Sequence, residues 1–177
     1  MDVIRLHDLQ FKPLVPAELI EQRIKEMAAQ MNRELKHERP LFIAILNGAF
    51  MFAAELMKHL NIECEITFVK FSSYNGTSST GKIKTDLALT EEVNGRNVVL
   101  LEDVVDSGST ISHLLHQFQN YYPETISIAT LLLKPAAWDN DFEIKYIGFK
   151  VPDEFLVGFG LDYDGLGRNL PGVYIRH

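Results

Sequence analysis

Three apolar runs, each the length of a β-strand, most constrain how this chain can fold. They are LFIAIL at 41–46, VVLL at the start of 98–105, and TISIATLLL at 125–133. The first two runs are uninterrupted, and the third ends in three consecutive leucines, which is typical of strands buried on both faces of a sheet. Segments with the apolar spacing of helices lie between them. The alternation predicts an α/β fold with a mostly parallel central sheet flanked by helices.

Apolar spacing also predicts where the helices lie. From Pro16 to about Lys36 apolar residues recur at helical intervals, and proline suits the first turn of a helix. The same periodicities predict helices over 49–60 and 111–122, and strands over 41–46, 64–71, 98–105, 125–133 and 143–149.

The composition indicates one globular domain spanning residues 1–177. Hydrophobic residues make up 46% of the chain and charged residues 23%, which is ordinary for such a domain. The net charge of -7 argues against nucleic acid as a partner. The single cysteine, Cys64, suits a reducing compartment, and neither a signal peptide nor a membrane-spanning run is apparent. These features predict a cytoplasmic protein without a membrane partner.

Two segments do not fit a minimal α/β core. Residues 72–84, SSYNGTSSTGKIK, are mostly small and polar and lie between strand-like segments. We predict that they form a flexible lid. A plain flexible linker is the alternative. Residues 152–172 are rich in glycine and aromatic residues and have no helical period. They predict a small hood over one edge of the sheet, formed mainly by 150–177 with the N-terminal segment.

The segment from Glu102 to Thr110 combines three carboxylates with small hydroxylic residues. Ligands of open parallel sheets bind beyond the carboxyl ends of the strands, where Glu102 and Asp103 fall. The helix beginning near Ser109 offers unpaired N–H groups to a phosphate, and carboxylates suit a ribose diol or Mg²⁺. The segment therefore predicts a site for a sugar phosphate. Solvation of a strand end with helix capping is the alternative, but capping explains only one of the three acids.

The sequence VVLLEDVVDSGST at 98–110 resembles the loop that binds 5-phosphoribosyl-1-diphosphate (PRPP) in type I phosphoribosyltransferases. Five further motifs resemble the 6-oxopurine branch of that family, the hypoxanthine-guanine phosphoribosyltransferases: LNGAFMF, SSYNGTSSTGKIK, LLLKP, IGFKVPDEFLVGFGLDY and GLGRNLP. The similarity runs in order from about residue 41 to 171. It implies the type I phosphoribosyltransferase fold and an enzyme of purine salvage. The implied reaction is Mg²⁺-dependent transfer of phosphoribosyl from PRPP to hypoxanthine, and also to guanine, giving IMP or GMP and pyrophosphate.

The resemblance also implies roles for the acids and the loop. Glu102 and Asp103 would hold the ribose hydroxyls of PRPP, directly or through Mg²⁺. Asp106 would be the catalytic residue, a general base that removes a proton from the imidazole ring of the purine. The implied cradle for the 5-phosphate consists of Asp106, Ser107, Gly108, Ser109 and Thr110.

Further roles follow from the same resemblance. Lys134 would donate to the 6-oxo group of the purine, Phe155 would stack on the base, and the backbone of Leu156 would contact its edge. Asp162 would lie at the purine site and bind Mg²⁺ or face pyrophosphate. The lid residues Ser73 and Tyr74 would close over PRPP and exclude water. The implied contacts to pyrophosphate come from Asn47, Gly48, Ser73, Tyr74 and Arg168.

The chain departs from the family in one turn. Where the family usually has Leu-Lys-Gly, often with a non-proline cis peptide, this chain has Leu46-Asn47-Gly48. No lysine contact to pyrophosphate or to a neighbouring subunit is expected there, although backbone N–H groups can still bind pyrophosphate. The resemblance implies a homodimer or homotetramer. Two alternatives remain, a xanthine-preferring phosphoribosyltransferase and a PRPP-sensing regulator that binds nucleic acid.

Overall fold

The computed structural model describes residues 2–73, 83–118, 121–136 and 142–177. These residues form a six-stranded sheet in the order β5-β4-β3-β6-β7-β8 and a four-stranded sheet in the order β1-β2-β10-β9. The elements are β1 (Ile4–Leu6), β2 (Leu9–Val15), α1 (Ala17–Glu34), β3 (Leu41–Leu46), α2 (Phe50–His59), β4 (Glu65–Ser73), β5 (Ile83–Leu87), β6 (Asn97–Val105), α3 (Ser109–Phe118), β7 (Thr125–Leu133), β8 (Tyr146–Lys150), β9 (Leu156–Val157) and β10 (Val173–Arg176).

The six-stranded sheet is the predicted central sheet, and its pairs are parallel except for the edge pair of β4 with β5. Alternate residues of β3 point into two separate cores. Phe42 and Ala44 pack in one core with α1 and α2, whereas Leu41 and Ile43 pack in the other with α3. A strand buried on both faces must be apolar at every position, which explains the continuous run of β3. The predicted α/β class is confirmed.

Most predicted bounds lie within two residues of the observed ones, but two differ by more. The third helix was expected to reach residue 122, but α3 ends at Phe118, and the N–H of Tyr121 donates to the carbonyl of Phe118. Tyr122 is exposed and has a φ of 47°, in the left-handed region that ends a helix. The last predicted strand begins at Tyr146 instead of 143 and runs to Lys150.

Strands β4 and β5 enter the segment that the sequence assigns to the lid. Their antiparallel register pairs Phe71 with Thr85 and continues as far as Ser73 with Ile83. Residues 74–82, which hold the rest of the predicted lid, lie outside the described residues.

The four-stranded sheet joins the two ends of the chain, and we call it the hood sheet. Strand β10 lies between β2 and β9 and pairs with both in antiparallel fashion. Phe11, Val157 and Tyr174 are buried together beneath it. The sequence analysis does not predict β1 or β2: β1 has only three residues, and β2 contains Pro13, which argues against a strand. Within the described part of the chain, no helix has the length and apolar character that a membrane crossing requires.

Strand β8 forms one edge of the central sheet, and α1 holds that edge in place. The Arg23 guanidinium donates to the carbonyl of Gly148 at 3.0 Å and to that of Ile147 at 2.7 Å. These bonds satisfy carbonyls that a bare edge strand would leave to solvent. The edge matters for the site, because β8 leads directly into the segment that begins at Val151.

Candidate active site

The predicted phosphate cradle follows β6 at the carboxyl edge of the central sheet. β6 ends at Val105 and α3 begins at Ser109, so the chain reverses direction within three residues. Gly108 makes this possible with a φ of 72°, a conformation that glycine adopts freely. The cradle residues Asp106 to Thr110 line a cleft of about 320 Å³. The N–H groups of the first helical turn have no partner within the helix and suit an anion there.

Glu102 and Asp103 form a buried acid pair near the carboxyl end of β6. Each is only 8% exposed. Burial and the neighbouring Asp103 carboxyl raise the pKa of Glu102 well above its ordinary value. Burial also raises the pKa of Asp103, although the Val104 N–H that donates to its Oδ1 and the Arg168 charge oppose that shift. Oε2 of Glu102 has no hydrogen-bond partner among the described residues.

This orphaned carboxylate oxygen fits a hard cation. Mg²⁺ is commonly held by one or two carboxylates, with substrate phosphates and water completing its shell. Across residues 2–73, 83–118, 121–136 and 142–177, no three acidic, histidine or cysteine side chains converge to hold a metal by themselves. The acid pair therefore fits a metal ion that arrives with a phosphate ligand.

The turn after β3 packs directly on the acid pair. A Cβ on Gly48 would lie 1.6 Å from Oδ2 of Asp103, so only glycine fits there. A Cβ on Gly160 would in turn lie 2.0 Å from the carbonyl oxygen of Gly48. The peptide bond between Leu46 and Asn47 is cis, and Asn47 is exposed. Gly48 thus lies between the Asp103 carboxyl and Gly160, and neither glycine position has room for a side chain.

Lys134 lies between two carboxylates at the same sheet edge. Its Nζ is 2.9 Å from Oδ2 of Asp106 and 3.5 Å from Oδ1 of Asp153. The Lys134 side chain is only 12% exposed, whereas the carboxylates are about half exposed. Asp153 is not among the residues that the sequence analysis assigns. Its position just after β8, the next parallel strand beyond β7, is the signal that could have found it.

Phe155 packs against aromatic residues of the hood and the N-terminal segment. Its ring is 42% exposed, and it packs edge-on against Tyr163 at 5.6 Å between ring centroids. Phe11 supports it from a centroid distance of 6.1 Å. The Tyr163 hydroxyl donates to Oδ1 of Asp8 at 2.7 Å. An exposed ring with rigid support can stack on a flat ligand.

Leu156 follows Phe155 as the first residue of β9. Its side chain is buried in the core shared with α1 and α2, and it pairs with Ile175 of β10. Tyr163 and Asp8 are further residues that the sequence analysis does not assign, and no local pattern marks Asp8.

Asp162 and Arg168 form an ion pair inside the hood. Nη2 of Arg168 is 2.8 Å from Oδ1 of Asp162, and the N–H of Gly165 donates to Oδ2 of Asp162 at 2.7 Å. Nη1 of Arg168 donates to the carbonyl of Gly160 at 2.7 Å. Both oxygens of Asp162 are therefore engaged, and any metal contact would require the Arg168 pair to open.

The structure brings most of the predicted residues to one edge of the central sheet. Ser73 lies at the end of β4, and Tyr74 lies outside the described residues. The residues brought to this edge or to the hood beside it are Asn47, Gly48, Glu102, Asp103, Asp106, Ser107, Gly108, Ser109, Thr110, Lys134, Phe155, Leu156, Asp162 and Arg168.

Comparison with known proteins agrees with this arrangement. The family described as "Phosphoribosyl transferase domain" matches residues 12–164. The chain is 41% identical over 168 residues to the hypoxanthine-guanine phosphoribosyltransferase of Bacillus subtilis, covering 94% of this chain and 93% of that one.

Solved structures give the same picture. The crystal structure of a hypoxanthine-guanine phosphoribosyltransferase from Bacillus anthracis aligns with a TM-score of 0.87 and 34% identity, covering 96% of this chain and 100% of that one. The hypoxanthine phosphoribosyltransferase of Trypanosoma cruzi, in complex with the product IMP, aligns with a TM-score of 0.87 and 29% identity, covering 98% of each chain.

The chain belongs to the phosphoribosyltransferase family, and within it to the hypoxanthine-guanine phosphoribosyltransferases, which are enzymes. The predictions of family, type I fold and enzyme class are confirmed.

Proposed function

We propose that this protein salvages purines by transferring the phosphoribosyl group of PRPP to hypoxanthine, and also to guanine, with Mg²⁺. The products are IMP or GMP and pyrophosphate. The observation that carries the proposal is the pairing of Asp106 with Lys134 at the rim of the phosphate cradle. It sets a proton acceptor and a cationic donor beside a site for a sugar phosphate, which is what a 6-oxopurine and PRPP together require.

In the proposed reaction the bond from C1 of the ribose to the pyrophosphate oxygen breaks, and its electron pair leaves with pyrophosphate. A nitrogen of the purine imidazole ring forms the new bond to C1. The proton that the ring loses goes to the carboxylate of Asp106, which acts as general base. Positive charge develops on the ribose in the transition state, and the nearby carboxylates of the acid pair stabilise it electrostatically.

Glu102 and Asp103 are the residues that would hold Mg²⁺ together with the ribose hydroxyls. Support comes from the orphaned Oε2 of Glu102 and from the oxygen chemistry of the pair. Bound there, the ion would neutralise charge on the departing pyrophosphate. Asp162 is a weaker candidate for this role, because Arg168 and the Gly165 N–H engage both of its oxygens.

Lys134 and Phe155 are proposed to select the base. The ammonium group of Lys134 donates to a 6-oxo group, whereas the 6-amino group of adenine offers it no comparable acceptor. Phe155 stacks on the ring, and the Leu156 backbone contacts its edge. The contacts of Asn47, Gly48, Ser73, Tyr74 and Arg168 to pyrophosphate stay predictions. So do the cytoplasmic location and the assembly into a homodimer or homotetramer.

The test is pyrophosphate release from PRPP with hypoxanthine, guanine, xanthine and adenine side by side, with Mg²⁺ and with EDTA. We expect release with hypoxanthine and guanine, only when Mg²⁺ is present. A clear preference for xanthine would support the xanthine-specific alternative instead. Release with adenine alone, or nucleic-acid binding without any release, would refute the proposal.

A second measurement tests the role of Asp106. Asp106→Asn removes the proton acceptor and keeps the size of the side chain. We expect single-turnover rates to fall by about 10²-fold or more, a usual loss for a general base, with PRPP affinity largely kept. An unchanged single-turnover rate would rule out Asp106 as the base.

A further inference from the structure

We infer that Asp153 is a positioning residue that holds the ammonium group of Lys134 when the purine engages Asp106. The inference rests on the proposed function, because it concerns how Lys134 becomes available to the 6-oxo group. Asp153 acts through Lys134 in this scheme and does not itself contact the purine.

The backbone places these three side chains in a row. Strands β6, β7 and β8 are parallel neighbours, with Val105 beside Leu133 and Leu133 beside Lys150. The pairing continues past the strands, since the N–H of Lys134 donates to the carbonyl of Val105 at 2.9 Å. The N–H of Val151 likewise donates to the carbonyl of Leu133 at 2.8 Å. Adjacent strand ends thus present an acid, a lysine and a second acid in order.

The two carboxylates share the ammonium group of Lys134 unequally. It is 2.9 Å from Asp106, at hydrogen-bond distance, and 3.5 Å from Asp153, at ion-pair distance. The closer pair competes with catalysis, because an ammonium bound to Asp106 opposes proton transfer to that carboxylate. The purine must therefore separate Lys134 from Asp106 before Asp106 can act as a base.

The separated ammonium still needs a counter-charge, because the Lys134 side chain is only 12% exposed. A largely buried cation that loses its partner is costly unless another takes its place. Asp153 is the second carboxylate already within ion-pair distance. It can keep the ammonium directed at the base, so that purine binding replaces the Asp106 carboxylate with the 6-oxo oxygen while the Asp153 carboxylate stays.

The experiment compares Asp153→Asn with a matched control, Glu154→Gln, in the adjacent exposed position. Steady-state constants are measured for hypoxanthine and for PRPP. We expect Asp153→Asn to lower kcat/KM for hypoxanthine by about tenfold, the usual scale for losing one charged contact, with the KM for PRPP unchanged. Glu154→Gln should match the wild type, and Asp153→Glu should recover most of the loss.

A double-mutant cycle with Lys134→Met separates positioning from general structure. If Asp153 acts through Lys134, adding Asp153→Asn to Lys134→Met should change kcat/KM by less than about twofold. Equal effects of Asp153→Asn in both backgrounds would overturn the inference, as would a loss no larger than that of Glu154→Gln. Wild-type protein without activity would instead refute the proposed function, and the inference with it.

Discussion

The central sheet and the hood sheet are held together by different means. In the central sheet, β3 is buried from Leu41 to Ile45 and is covered on both faces by apolar side chains. The hood sheet has one small buried cluster of its own, Phe11, Val157 and Tyr174, and other residues of its strands join the core with α1 and α2. The central sheet therefore has a large apolar core on each face, whereas the hood shares one of these cores and adds only a small cluster.

Backbone geometry adds further constraints in the hood. Phe159 and Asp164 each have a φ of 47°, in the left-handed region that non-glycine residues seldom adopt. Backbone bonds close the turns around them, from the N–H of Phe159 to Leu170 and from the N–H of Gly160 to Arg168. The sugar-phosphate half of the site therefore rests on apolar packing. The purine half depends as well on tightly specified turns.

The largest expected difference between the two regions is in tolerance to lost side-chain volume. Leu100→Ala, in the middle of the central sheet with no exposure, should lower the free energy of unfolding by about 3 kcal/mol. The same change at the half-buried Leu170 of the hood should cost about 1 kcal/mol. Urea denaturation measures both values. Equal losses would mean that the hood depends on apolar packing as much as the central sheet does.

The second largest effect on stability is expected in the tight turns of the hood. Gly160→Ala places a methyl group against the Gly48 carbonyl, at a φ of 104°, and should lower stability by about 2 kcal/mol and reduce activity. Gly165→Ala is the control, because its φ is 85° but no contact with the described residues lies within 4 Å of the added carbon. It should cost about 1 kcal/mol and leave activity intact. Thermal melts with activity assays distinguish the two, and identical results would exclude the contact with Gly48 as the cause.

A smaller effect on hypoxanthine binding is expected from changing Tyr163, which packs against Phe155. Tyr163→Phe removes the hydroxyl that bonds Asp8 and keeps the edge-on ring contact. We expect the KM for hypoxanthine to rise by about twofold, since one exposed hydrogen bond contributes little. The KM for PRPP should not change, because the sugar phosphate binds at the other sheet. A larger change in the PRPP constant would contradict the division of the site.

The smallest effect concerns an exposed ionic contact of α1. Hydrogen bonds from Gln30, Lys145 and Tyr146 lower the pKa of Glu34 below 4.5. A carboxyl with a lowered folded pKa adds stability that is present above its unfolded value and is lost as the pH falls through the folded one. Glu34→Gln should therefore cost less than about 0.5 kcal/mol at neutral pH. The difference should vanish in acid, and a difference that grew in acid would contradict this sign.

The contrast between the central sheet and the hood also explains which features could be predicted from the sequence. Strands β3, β6 and β7 follow from their apolar runs because each must be apolar on both faces. The carboxyl edge of the sheet then follows, and with it a sugar-phosphate site at Glu102 to Thr110. Resemblance to the family was needed for Lys134 and Phe155, since neither residue has a local pattern of its own.

Other features depend on contacts between distant parts of the chain. The bond between Asp8 and Tyr163 joins residues 155 positions apart, and no periodicity reports such a contact. The third helix does not extend to Tyr122, because the backbone of Tyr122 is left-handed, which apolar spacing does not encode. Asp153 belongs in part with these features, because it follows a predicted strand but lies near Lys134 only through the pairing of β7 with β8.

The strand order of the hood sheet also sets an order of assembly during synthesis. Strand β2 is made early, but its neighbour in the sheet is β10, which is made late and also separates β2 from β9. The ribosome therefore releases every strand of the central sheet before the hood can close. During translation the phosphate cradle can form first, and the platform beneath Phe155 is completed last, when β10 inserts between two strands already made.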